Sequence, residues 1–134
     1  MDETSGYFSG GVIVEQVGEW WRIYQPLDFT SRDGTTVHVP VGFITDFASI
    51  PRIFWNIAPP TSPFYSRASL VHDRLYETHQ VPREQADAYF YEAMLLSGSS
   101  HALAWTLWSA VRAFGSWAYN TGPSRQAARI YAFH

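Results

Sequence analysis

Apolar and polar residues alternate with a period of two between Gly11 and Val41, then switch to a helical period from Ser66 onward. The first region holds "VIVEQV" at 12–17, "WWRIYQPL" at 20–27 and "TTVHVPV" at 35–41. Gly18-Glu19 and Asp33-Gly34 separate these runs and predict turns, because glycine adopts positive φ without a Cβ clash. The pattern predicts a small N-terminal antiparallel sheet of three or four strands. Pro40 belongs at an edge or strand end, having no N–H to give to a ladder.

The helical region divides into three main helices. The first spans Ser66 to His79. The second starts after Val81, with Pro82 at the first helical position, Glu84 in the first turn and Gly98 as its stop. The third opens on Ser99 or Ser100 as N-cap and runs to Tyr119, with Leu103, Leu107, Trp108, Val111, Phe114 and Trp117 read as a core stripe. Strands followed by helices, not alternating with them, predict an α+β fold. Residues 42–65 are too apolar for a linker and read as a packed loop with a short helix near Ile50 to Ile57. Residues 1–10 read as a flexible N-terminus and 120–134 as a basic, partly apolar tail. A chain of 134 residues is expected to form one domain.

Composition narrows the function. Hydrophobic residues make up 46% of the chain and aromatics 17%, against 16% charged. That is more apolar surface than one core readily hides, so a partner chain or self-association is expected. The net charge is −3, and the nine cations are scattered arginines with no lysine, which argues against nucleic-acid binding. No cysteine is present, so disulfides and thiolate chemistry are excluded. The start "MDETSGYFSGG" lacks the basic and apolar regions of a signal peptide, and no window reaches the roughly 18 apolar residues of a membrane span. A soluble protein made in the cytoplasm is expected.

Candidate chemistry concentrates in "ASLVHDRLYETH", residues 68–79. His72 and His79 lie two turns apart on a helix, about 10 Å at 1.5 Å per residue, so they cannot share a metal ion. A reversal near Gln80 and Val81 sets the second helix antiparallel and brings Asp87 opposite His72. Asp87 shares a face with Phe90, Tyr91 and Met94, so it points inward and needs a partner. A carboxylate holding one imidazole nitrogen makes either a general base or an oriented ligand. Equally, a His–Asp hydrogen bond between helices satisfies two buried polar groups and does nothing more. Asp73 has a bland alternative too, an ion pair with Arg67, Arg74 or Arg112, and Asp46 has one as a turn or cap residue.

Four segments carry a resemblance: "VPVGFITDFASIPR" (39–52), "ASLVHDRLYE" (68–77), "EQADAYFYEAM" (84–94) and "AVRAFGSWAY" (110–119). Together they resemble a family of uncharacterised proteins of tailed bacteriophages and prophages with GFxTDxASxP, HDxLY and ADxxF motifs. The resemblance implies a phage gene product, made in the host cytoplasm or carried in the virion and meeting a phage or host protein partner, with Asp46, Ser49, His72, Asp73, Tyr76 and Asp87 as site candidates; Thr45, Ser49 and Arg52, polar residues of the long ordered loop, read as a binding loop. The HDxLY and ADxxF helices are also similar, more faintly, to the HDxxY helix pair of phospholipases of the A-two class. That similarity implies that His72 activates water, Asp87 orients His72, Tyr76 bonds to Asp87, and Asp73, with Asp46, helps hold a divalent metal such as calcium. Two functions follow. One is a hydrolase of an ester or envelope component; the other is a non-enzymatic tail, baseplate, host-interaction or ligand-binding protein in which the same residues are structural.

Overall fold

The computed structural model describes residues 6–17, 20–46, 51–56, 62 and 65–132. Among these, six strands precede four helices, an α+β arrangement. The strands are β1 (Tyr7–Ser9), β2 (Val14–Val17), β3 (Trp20–Ile23), β4 (Leu27–Thr30), β5 (Thr36–Val39) and β6 (Ile44–Thr45). They form two three-stranded antiparallel sheets, ordered β1-β4-β5 and β2-β3-β6, where the alternation predicts one. The division falls at Pro26. The run "WWRIYQPL" does not continue as one strand, because Pro26 has no N–H for a ladder, and its two ends enter different sheets. Residues 7–9, expected to be flexible, pair with β4, and Gly10 at φ +95° lets the chain pass a Pro26 carbonyl that any Cβ would strike.

The turn at Asp33-Gly34 forms as expected, with Gly34 at φ +91° and Asp33 Oδ1 accepting from the Thr35 amide. The other predicted turn, at Gly18-Glu19, lies outside the described residues. β5 stops at Val39, just before Pro40. Gly42, at φ +92°, then turns the chain so that the Ile23 amide bonds the Phe43 carbonyl and β6 aligns with β3. The expected short helix is a single 3-10 turn at Arg52–Phe54 after Pro51.

The helices are α1 (Ser66–Thr78), α2 (Arg83–Leu96), α3 (His101–Phe114) and α4 (Ser116–Ala132). Ser100 caps α3 by accepting from the Leu103 amide. The predicted third helix breaks at Gly115, and the predicted tail is the long fourth helix. α4 contains Pro123, which cannot supply the N–H that the Tyr119 carbonyl would otherwise receive. His79 supplies it instead: its Nε2 lies 2.5 Å from that carbonyl, and its ring stacks on Tyr119 at 3.9 Å. His79 is thereby tied to α4 and takes no part in the His72 site.

One apolar cluster joins Ile23 and Phe43, Leu27, Phe29, Val37 and Val39, and residues of all four helices, including Leu75, Phe90, Leu107 and Ala118. The core stripe of α3 is Ala104, Leu107 and Val111. Of the predicted stripe, Leu107 and Val111 enter the core, but Phe114 and Trp117 are 67% and 62% exposed.

Candidate functional site

α1 carries two polar groups that a helix turns about 100° apart, His72 and Asp73, and each faces a different set of neighbours. His72 points at α2. Its Nε2 lies 2.7 Å from Asp87 Oδ1, and the same oxygen accepts from the Tyr76 hydroxyl at 2.5 Å. The other oxygen, Oδ2, accepts from Arg112 Nη1 at 2.8 Å, with Arg83 Nη1 at 3.7 Å. Arg83 also donates to the carbonyls of Val111 and Arg112 at the end of α3. Phe90 stacks on the imidazole at 4.4 Å, one turn from Asp87. Gly115 completes the packing, since a Cβ there would meet the Tyr76 hydroxyl at 2.7 Å. Burial on its own would raise the Asp87 pKa, but the hydrogen bond and attraction of His72, then Tyr76 and Arg112, outweigh it and hold the carboxyl below its ordinary value. Burial, reinforced by the hydrogen bond to Asp87, keeps the Tyr76 phenol protonated far into alkali.

Asp73 faces the opposite way, toward β6 and α4. Its Oδ2 accepts from the Thr45 hydroxyl. The next residue of the loop, Asp46, is bound by Arg129 Nη2 at 2.6 Å, and Arg129 Nη1 reaches Glu77 Oε1 at 3.0 Å. Arg125 Nη1 lies 3.9 Å from both Asp46 and Glu77. Gln126 fixes the edge of β6 by exchanging hydrogen bonds with both backbone groups of Ile44, at 2.7 and 3.3 Å. Gly122 permits this docking, because a Cβ there would fall on the Tyr76 carbonyl. Burial raises the Asp73 pKa against the Thr45 hydrogen bond, and burial followed by repulsion from Asp73 pushes Glu77 up to about 8.

The structure therefore brings His72, Tyr76 and Asp87 together, and separately Thr45, Asp46 and Asp73. Ser49 lies outside the described residues. Arg52 lies with its guanidinium 5.0 Å over the Trp55 ring. None of the surface partners considered for Asp73 holds it: Arg67 lies over Phe8, Arg74 bonds the His38 carbonyl, and Arg112 belongs to Asp87. Nor does Asp46 cap the 3-10 turn, whose N-cap is Pro51. Asp46 and Asp73 do not fit a calcium ion either. Calcium asks for six to eight converging oxygens, but arginines and a threonine hydroxyl occupy these carboxylates. Among the described residues no group of three or more His, Asp or Glu is placed to hold a metal.

The sequence reading missed Arg83 on Asp87, and Glu77, Arg125, Gln126 and Arg129 around Asp73. The signal was present in the spacing: Arg83 is four before Asp87, Glu77 four after Asp73, and Arg125 four before Arg129, each one helical turn.

A family model described as "Protein of unknown function (DUF1353)" matches residues 21–111. The chain belongs to the DUF1353 family. Among curated proteins, it is 33% identical over 125 residues to the uncharacterized protein y4jT of Sinorhizobium fredii (strain NBRC 101917 / NGR234). The match covers 89% of this chain but 37% of the relative, so the chain spans little more than a third of that protein's length. No solved structure matches. The DUF1353 match takes in β3 through most of α3, and with them Thr45, Asp46, His72, Asp73, Tyr76 and Asp87; the arginines of α4 fall beyond it. Among the described residues, no helix is long and apolar enough to cross a membrane.

Proposed function

We propose that this DUF1353 chain is a non-enzymatic binding module, of a tail, baseplate or host-interaction kind if the phage resemblance holds. In it the His72–Asp87–Tyr76 chain locks α1 to α2 and α3. One observation carries the reading: His72 and Asp87 both have 0% exposure, with Phe90 and Tyr76 against the imidazole. A general base must come within hydrogen-bond reach of the proton it removes, and a sealed imidazole meets no substrate. The solvent side of α2 and α3 supports a protein partner instead. There Ala88, Tyr91, Trp105 and Trp108 line an open, largely apolar cleft of about 370 Å³, and tyrosine and tryptophan are favoured at interfaces.

The second reading, an esterase or envelope hydrolase, has its own support. Asp87 holds His72 through Nε2 and receives Tyr76, as the phospholipase resemblance implies. A hydrolysis screen separates the two. The purified chain, offered short-chain nitrophenyl esters and phospholipid vesicles with and without calcium, is expected to give no turnover above buffer. Turnover that His72→Gln abolishes in a protein that remains folded would establish the hydrolase and end the binding-module reading.

A further inference from the structure

The Asp73 cluster contains three carboxylates, Asp46, Asp73 and Glu77, against two guanidiniums, Arg125 and Arg129. Arg74, the residue after Asp73 on α1, is directed to the His38 carbonyl and the face of Phe43. Among the described residues, two carboxylate oxygens of this cluster, Asp73 Oδ1 and Glu77 Oε2, and one donor, Arg125 Nη1, are buried without a hydrogen-bond partner, and Arg125 Nη1 stays 3.9 Å from Asp46 Oδ1 and Glu77 Oε1. Asp73 and Glu77 are one turn apart on the same face of α1, close enough for the Asp73 charge to act on Glu77, and Arg129 of α4 reaches Glu77 at 3.0 Å. An ionised carboxylate oxygen buried without a donor is costly, whereas a protonated carboxyl brings its own donor.

We propose that Asp73 and Glu77 share one proton at neutral pH, and that its loss in alkali loosens α4 from α1 and β6. The proton takes the place that the phospholipase resemblance gives to calcium: it balances the charge that Arg125 and Arg129 leave over. All groups facing the pair enter the balance. Thr45 donates from β6, Asp46 repels from the loop after it, Arg125 and Arg129 attract from α4, and Arg74 follows Asp73 on α1. Burial and the Asp73 charge, which push Glu77 up to about 8, place the release in mild alkali.

A folded-state pKa raised above the unfolded value stabilises most at low pH. For Glu77 the contribution declines from its ordinary value of 4.5 upward and is gone once the pH passes about 8. Carboxyl carbon NMR on the unaltered protein should show a Glu77 or Asp73 resonance titrating with a midpoint near the value given for Glu77. Wild-type Tm should fall by roughly 5 °C or more between pH 5 and pH 9. Glu77→Gln, which keeps an acceptor for Arg129 and adds a donor for Asp73, should flatten that fall. Exchange of α4 amides, corrected for intrinsic rates, should quicken about tenfold across the same interval. Ordinary carboxylate midpoints for both residues would overturn the proposal even if Glu77→Gln fails to fold. So would parallel Tm profiles for wild type and variant, or a Tm raised by calcium chloride.

Discussion

His72 and Asp73 are adjacent in the chain, yet they belong to opposite electrostatic settings. Around His72 one carboxylate, Asp87, meets an imidazole, a phenol and two arginines, and its charge is stabilised by more donors than it has oxygens. Around Asp73 acid is in excess, and carboxylate oxygens are left over. The first setting favours ionised Asp87, so its contribution is complete above the ordinary aspartate range and is lost as pH falls through the depressed value. The second favours protonated carboxyl and loses stability as pH rises. A single turn of α1 therefore faces two buried networks that fail at opposite ends of the pH scale. Asp87 and Asp73 are both fully buried; the balance of carboxylates against cationic partners around each decides the sign.

The largest way to break the contrast is Asp87→Ala. Removing the buried carboxylate leaves the partly exposed Arg112 and the buried Tyr76 and His72 donors without their acceptor, at a cost of about 3 kcal/mol in unfolding free energy. Urea denaturation should register this as a lower midpoint, and the variant's acid unfolding should lose the part of its profile that Asp87 supplies. A loss below about 1 kcal/mol would mean that the network is not the lock argued for above. Tyr76→Phe is the next step down. It withdraws one donor to a charged acceptor while Arg112 and His72 remain, so roughly 1.5–3 kcal/mol is expected in the same assay.

The inward face of α2 was legible because a 3.6-residue period sets Asp87 among Phe90 and Met94, and an aspartate there must find a partner. The reversal after His79 then made His72 the nearest candidate, and the structure pairs them. Asp73 was not legible in the same way. Its partner Thr45 is 28 residues earlier, and the arginines that govern its surroundings sit on α4, more than 50 residues later. Helical periodicity relates residues within one element and says nothing of which element packs beside it. α4 itself was obscured by Gly122 and Pro123, residues that ordinarily end helices. Here Gly122 allows close approach to the Tyr76 carbonyl, and the acceptor freed by Pro123 is taken by His79. Phe114 of α3 was misread for a related reason: it shares a stripe with Leu107 and Val111, which do enter the core, but small Ala104 and Ala110 complete the buried face and Phe114 at the helix end stays outside.

The smallest expected effect sharpens the comparison most. Asp73→Asn keeps an oxygen for the Thr45 hydroxyl and adds a donor, but removes one of the three carboxyl groups beside Arg125 and Arg129. At pH 7 the change should be about 1 kcal/mol or less in urea denaturation, far below that of Asp87→Ala, although both aspartates are wholly buried. With Asp73 neutral, Glu77 loses the repulsion that ranks second only to burial in raising it, so its titration should move down toward the ordinary carboxylate range. The variant should then gain on the wild type as the pH approaches 9. If Asp73→Asn proves as damaging as Asp87→Ala at pH 7, Asp73 is the ionised anchor of α4, and the two networks differ in position alone.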